Sequence, residues 1–258
     1  AQGLFLSLFA GEPHAFVHTA LVAREDDGTF VYETNGTLRA EVGGTPADRV
    51  AGGVRRVPWD EFAREQRFVA VFDPPAGLDV ERAVAYARAR LGNPFDARFD
   101  AADDAALYCT ELTARALAAG GVPRELVPFS ANPSLRTILD WLGIRGDALY
   151  TPATVTAGLA PVALVSRWHS SRQLHAYFAA KAELARRFTP DQRIGNVVAY
   201  SPLSGLRLRE PVQAFLAAVD AAARDWPEAD GPGAPTLEYR VRVLAARYLG
   251  PGPAATGP

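Results

Sequence analysis

The chain of 258 residues has no methionine, one cysteine (Cys109), one lysine (Lys181) and only four histidines. A lone cysteine rules out an internal disulfide framework and a cysteine-built zinc site. With the histidines scattered, no metal ligand set is legible, and no metal or cofactor is expected. No stretch approaches the ~20 consecutive apolar residues of a membrane-spanning helix, so no integral membrane span is expected. A formal net charge of −2 supplies no basic field, which argues against nucleic acid as the partner. Internal repeats and a nucleotide-binding glycine pattern are also missing, and Gly43-Gly44 and Gly52-Gly53 read as turns. The absence of methionine, together with an opening apolar run at Leu4–Phe9, predicts that a start residue and a leader have been removed. That favours the cell envelope or the exterior over the cytoplasm.

What is present is a core. Hydrophobic residues make up 48% of the chain, enough for one large domain or a domain with an appendage. Short runs rich in branched and aromatic residues, at Leu4–Phe9, Phe16–Ala23, Thr29–Thr34, Val54–Pro58 and Phe68–Phe72, predict an antiparallel strand meander. Helical spacing then takes over in Asp79–Leu91, in the segment from Cys109 to Gly120-Gly121, and in a helix capped by Ser134 that carries Leu135, Ile138, Leu139 and Leu142. A late strand is predicted at Val162–Trp168. Beyond it, Arg172–Phe188, Pro211–Trp226 and Leu237–Leu249 read as alanine-rich helices. The chain therefore divides into an α+β domain, residues 1–168, and a helical extension with a frayed tail, residues 169–258, expected to pack on that core.

Cys109 stands where a polar loop becomes an amphipathic helix, in Tyr108-Cys109-Thr110-Glu111-Leu112. Helix-start N–H groups favour thiolate over thiol, and the thiolate is the nucleophile. The bland alternative is a small packed thiol. A nucleophilic cysteine needs a base, and the base needs a third group to orient it. His169 and His175 fall in or beside the helical extension and read as solvated or locally paired, while His14 lies in a turn-like segment. His18 sits in an otherwise apolar run, Phe16–Val22, where an imidazole must find a partner. Glu33 follows on the next predicted strand, where pairing about Glu25-Asp26-Asp27-Gly28 would set it facing His18. The alternatives are a core histidine bonded to backbone and a solvated strand carboxylate.

Asn93-Pro94-Phe95-Asp96, Phe99, Asp103 and Tyr108-Cys109-Thr110-Glu111-Leu112, with the early strand His18-Thr19-Ala20-Leu21-Val22, resemble the circularly permuted papain-fold hydrolases of the NlpC-like superfamily, in their YiiX-like branch. Tyr150-Thr151-Pro152 resembles the closing Thr-Pro element of the same branch. The resemblance spans residues 3–168 and implies a permuted papain-like fold, an antiparallel sheet with packed helices. It also implies Cys109 as nucleophile, His18 as general base and then acid, and Glu33 as the orienting group. The Cys109 N–H would help to hold the oxyanion. Ala20 stands where the family has glycine, Thr110 where it has serine, and Phe95 where many members have tyrosine. Tyr108 is therefore the candidate substitute donor at the oxyanion or substrate.

The expected activity is cysteine-dependent cleavage of an amide, in a cell-wall (peptidoglycan-derived) peptide or a small molecule, through an acyl-enzyme. Two rivals stand beside it: a lipid-directed acyltransferase or thioesterase of the same fold, and a binding module that retains the site without turnover.

Overall fold

The computed structural model describes residues 16–38, 45–129, 136, 139–140, 142–166, 169–188, 196–201, 205–227 and 235–252. The expectations for Leu4–Phe9, His14, Gly43-Gly44 and the Ser134 cap lie outside these residues. Two compact units emerge, one spanning Phe16–Arg167 and the other including Trp168–Pro258. The first is an α+β unit, and the second is built mainly of helices.

In the α+β unit, β1 (Leu21–Glu25), β2 (Gly28–Leu38) and β3 (Val50–Pro58) form a three-stranded antiparallel sheet in the order β1-β2-β3. The register is Leu21 opposite Tyr32 and Glu33 opposite Arg55. Because side chains alternate across a strand, this register sends Tyr32 to one face and Val31 and Glu33 to the other. On the first face, Tyr32, Ala23 and Val54 bury against Ala87 of α2 (Val80–Ala89) and Leu112 of α3 (Cys109–Ala119), together with Leu107. On the second, Val31 and Val57 meet Phe62 of α1 (Trp59–Glu65). Leu107 and Leu112 are fully buried, each contributing about 2 kcal/mol of apolar transfer.

Several expectations shift in detail. The first strand begins at Leu21, not Phe16, so His18 precedes the ladder. Gly52 and Gly53 are not a turn but part of β3, opposite Gly36 and Asn35. A Cβ on Gly53 would lie 2.1 Å from the Asn93 carbonyl oxygen. Its absence lets the Asn93-Pro94-Phe95 stretch dock on β3, with Val54 N–H donating to Asn93 O (2.9 Å) and Phe95 N–H to Gly52 O (3.0 Å). The late strand is β7 (Pro161–Val165). It pairs antiparallel with β4 (Val69–Phe72) as a separate two-stranded sheet, not with β1–β3. Between β4 and β7 lie a short pair, β5 (Val127–Pro128) with β6 (Ala148–Leu149), and α4 (Pro152–Thr156), whose Thr151 cap accepts from Thr154 N–H at 3.1 Å.

In the second unit, α5 (Ser171–Phe188), α6 (Glu210–Ala223) and α7 (Leu237–Leu249) contact one another pairwise. Leu174, Leu184, Phe215, Val219 and Val241 are among their buried side chains. A hairpin, β8 (Val198–Ser201) with β9 (Gly205–Leu208), interrupts the helices where none was anticipated.

Candidate active site

The local sequence makes Cys109 the first residue of α3. Tyr108 is extended (φ −93°, ψ 167°), and Glu111, three residues on, reaches back to accept from Tyr108 N–H at 3.4 Å. Such a start leaves the first N–H groups without intrahelical acceptors. The frame around it is closely tied. Asp96 is buried and accepts from the N–H groups of Arg98 (2.8 Å) and Asp100 (2.6 Å). Phe95 bridges to Leu107, immediately before the helix start. From the other side, Thr110 Oγ1 donates to Tyr150 O (2.6 Å), so threonine supplies the same hydroxyl function that serine would. The Asn93–Asp96 and Tyr150–Pro152 motifs thus act as scaffolding for the Cys109 turn.

His18 is delivered by the segment leading into β1. That segment is tied to α3 by Thr19, whose Oγ1 donates to Thr113 Oγ1 (3.0 Å), which in turn donates to the Cys109 carbonyl (3.2 Å). His18 Nε2 and Glu33 Oε2 lie 2.6 Å apart, with the Glu33 side chain 1% exposed and His18 25% exposed. The contact is diagonal: continuing the β1–β2 register beyond Leu21 sets Ala20, not His18, beside Glu33. The imidazole is also electrostatically coupled to the Cys109 thiol, each group shifting the other's protonation. With Nε2 committed to Glu33, Nδ1 is the ring nitrogen left for the sulfur.

The electrostatics favour a charged pair. Burial pushes the Cys109 thiol up, but the His18 charge, its hydrogen bond and the N–H groups of Thr19 and Thr110 outweigh burial and hold the thiol below its ordinary value. Burial likewise disfavours imidazolium, yet thiolate and carboxylate together raise His18 to about 10. Desolvation would raise Glu33, but His18 and Arg55 hold it below the usual carboxylate range. All three shifts run the same way, towards the charged arrangement of thiolate, imidazolium and carboxylate.

The three residues Cys109, His18 and Glu33 are thus brought together. Tyr108 is not brought in with them: it is fully buried, its hydroxyl accepts from Tyr150 N–H (2.9 Å), and its ring lies against Phe99 at 4.9 Å. The Phe99 ring and the Tyr150 backbone enclose a side chain that the sequence left free to point outward. Arg55 was missed by the sequence reading. Its Nε donates to Glu33 Oε1 at 2.8 Å, and its Nη2 donates to Glu33 Oε1 (2.5 Å) and Glu65 Oε2 (2.7 Å). The signal available was the alternation of charge between β2 and β3, readable only once the register was known. His169 and His175 lie in the helical unit, and His169 Nε2 is 3.5 Å from Asp220 Oδ1. Among the described residues, no group of three or more His, Cys, Asp or Glu is arranged to hold a metal ion, and no helix is long and apolar enough to cross a membrane.

Compared with known proteins, the sequence matches no protein-family model and no curated protein. Among solved structures it is similar to YiiX of Escherichia coli O157:H7, which is described as a metalloprotein. The two share 20% identity with a TM-score of 0.48, over 65% of this chain and 92% of that one.

Proposed function

We propose that the α+β unit is a cysteine hydrolase that cleaves an amide through a thioester acyl-enzyme, of the permuted papain kind that the sequence motifs resemble. The observation that carries this reading is the His18–Glu33 pair at 2.6 Å, coupled electrostatically to the Cys109 thiol at a helix start. The thiolate attacks the carbonyl carbon, and the oxyanion develops against N–H groups of the first helical turn. As the C–N bond breaks, the His18 Nδ1 proton passes to the leaving amine. The neutral imidazole then takes a proton from water, hydroxide adds to the thioester, and the sulfur departs as thiolate. A peptide or small amide, with peptidoglycan-derived peptides among the candidates, is the substrate class of this reading. Acyl transfer from lipids would use the same intermediate.

The test is alkylation of Cys109 by iodoacetamide across pH. An ordinary thiol near pKa ~8.5 is about 0.3% thiolate at pH 6, so His18→Ala is expected to slow labelling at that pH, by at most about 300-fold. Identical pH profiles for the wild-type protein and His18→Ala, both rising near pH 8.5, would sink the proposal. Parallel screens of peptide amides and acyl esters then separate amidase from lipid enzyme.

A further inference from the structure

Glu33 is almost wholly buried, and both of its oxygens are taken, Oε2 by His18 and Oε1 by Arg55. Arg55 is its directly opposed neighbour on β3, and the same guanidinium is tethered to Glu65 at the end of α1. The groups facing Glu33 are therefore His18 from the segment before β1 and Arg55 from β3. Behind them stand Cys109 at the start of α3 and Glu65 on α1. A single carboxylate holding two cations is more than orientation of an imidazole requires. The second cation becomes intelligible over a reaction cycle, because His18 is charged in only part of it.

In the resting thiolate–imidazolium state, Glu33 has a positive partner in His18. After the proton has gone to the leaving amine, His18 is neutral, and a buried carboxylate with no other cation would be strongly disfavoured. It would recover by drawing a proton from the ring, or by releasing it. Arginine does not lose its proton at any working pH, so its charge is present in both halves of the cycle.

We propose that Arg55 is a positioning residue that keeps Glu33 ionised while His18 is neutral, and so holds the imidazole as the Nε2–H tautomer with Nδ1 open to water. This rests on the catalytic pairing of Cys109 with His18. Its consequence falls on the second half-reaction: deacylation needs neutral His18 as a base, whereas attack needs only the resting ion pair. Arg55 therefore acts on the thioester's hydrolysis more than on its formation.

The experiment uses the full chain, labelled with nitrogen-15 and alkylated on Cys109 with iodoacetamide, a stand-in for the acylated sulfur that removes the thiolate. His18 is titrated by NMR in the wild-type protein and in Arg55→Met, Arg55→Gln and Arg55→Lys. In the wild type, the neutral ring is expected as the Nε2–H tautomer. Loss of the arginine charge makes the neutral ring costlier, so Arg55→Met and Arg55→Gln should both bind the His18 proton about 10-fold more tightly, a rise of about one pH unit. Arg55→Lys should restore most of the difference, which a loss of packing alone would not do. If Arg55→Met does not fold, Arg55→Gln reads the same charge effect. An unmoved midpoint in the charge-removing variants, or a wild-type neutral ring protonated on Nδ1, overturns the role of Arg55. The rate of the alkylation itself keeps the two ideas apart. Thiolate-like labelling with an unmoved His18 midpoint rejects only Arg55, and ordinary-thiol labelling rejects the catalytic pair beneath it.

Discussion

Both units bury charge, but they arrange it differently. In the helical unit Glu183, 4% exposed, is enclosed by two arginines of its own helix, Arg186 and Arg187, each at 2.7 Å. Arg187 also donates to Gly250 O at 2.6 Å. Among these groups the cations are arginines, whose protonation does not change. In the α+β unit the buried carboxylate Glu33 lies between an arginine and a histidine, and the histidine leads on to a thiol. A proton can move along the second arrangement and not along the first. Burial of charge alone is therefore weak evidence of a reactive site, whereas a titratable ring placed between a carboxylate and a thiol is the arrangement that the proposed chemistry requires.

The sharpest way to break this contrast is to remove the carboxylate on each side. Glu183→Ala leaves two arginines uncompensated and is expected to cost about 3 kcal/mol in denaturant unfolding, with the Cys109 alkylation profile unchanged. An altered alkylation profile would show that the helical cluster bears on the site. Glu33→Gln should do the reverse in kind. With the anion gone, His18 holds its proton less well, and labelling at pH 6 is expected to fall about 10-fold. Labelling as fast as wild type would mean that the helix start alone supports the thiolate.

A smaller effect separates two carboxylates within the α+β unit. Glu111 is fully buried on α3 and bonded to Arg115 at 2.8 Å, yet burial wins and pushes it up to about 7. Its folded-state pKa lies above the ordinary carboxylate value. The folded protein therefore binds more protons than the unfolded chain between about pH 4.5 and 7, and stability falls as pH rises through that window. Glu111→Gln should flatten this dependence in urea titrations at pH 5 and pH 8. Lys181, the sole lysine, gives the opposite slope from the helical unit. Burial lowers it to about 8, so stability rises between about pH 8 and 10.5, and Lys181→Met should abolish that rise. Unchanged slopes in both variants would show that neither group titrates away from its ordinary value.

Much of this was legible in the chain. Periodicity located α2, α3, α5, α6 and α7 closely, because an amphipathic face repeats locally and its stop signals, such as Gly120 and Gly250, are single residues. The hairpin of β8 with β9 was not seen, since four-residue strands within an alanine-rich region carry little period. The association of His18 with Glu33 was anticipated, but for a reason that the register corrects: the pair meets diagonally because β1 starts at Leu21. Gly52 and Gly53 looked like a turn because glycine's sequence signal is the same for a turn and for a close approach of two backbones. Only the docking of Asn93 on β3 tells them apart.

By itself, the sequence determined which group is the candidate nucleophile and where it stands, since a lone cysteine at a helix start follows from residue identity and local pattern. It also determined the order of histidine before cysteine, and with it the permuted reading. Tertiary structure decided which groups surround that cysteine. Tyr108 went inward and Arg55 was brought in, both through contacts between residues far apart in the chain. The physical reason is that helix starts are set by neighbours within a turn, whereas the charge balance of a buried carboxylate depends on strand register, which no local window contains.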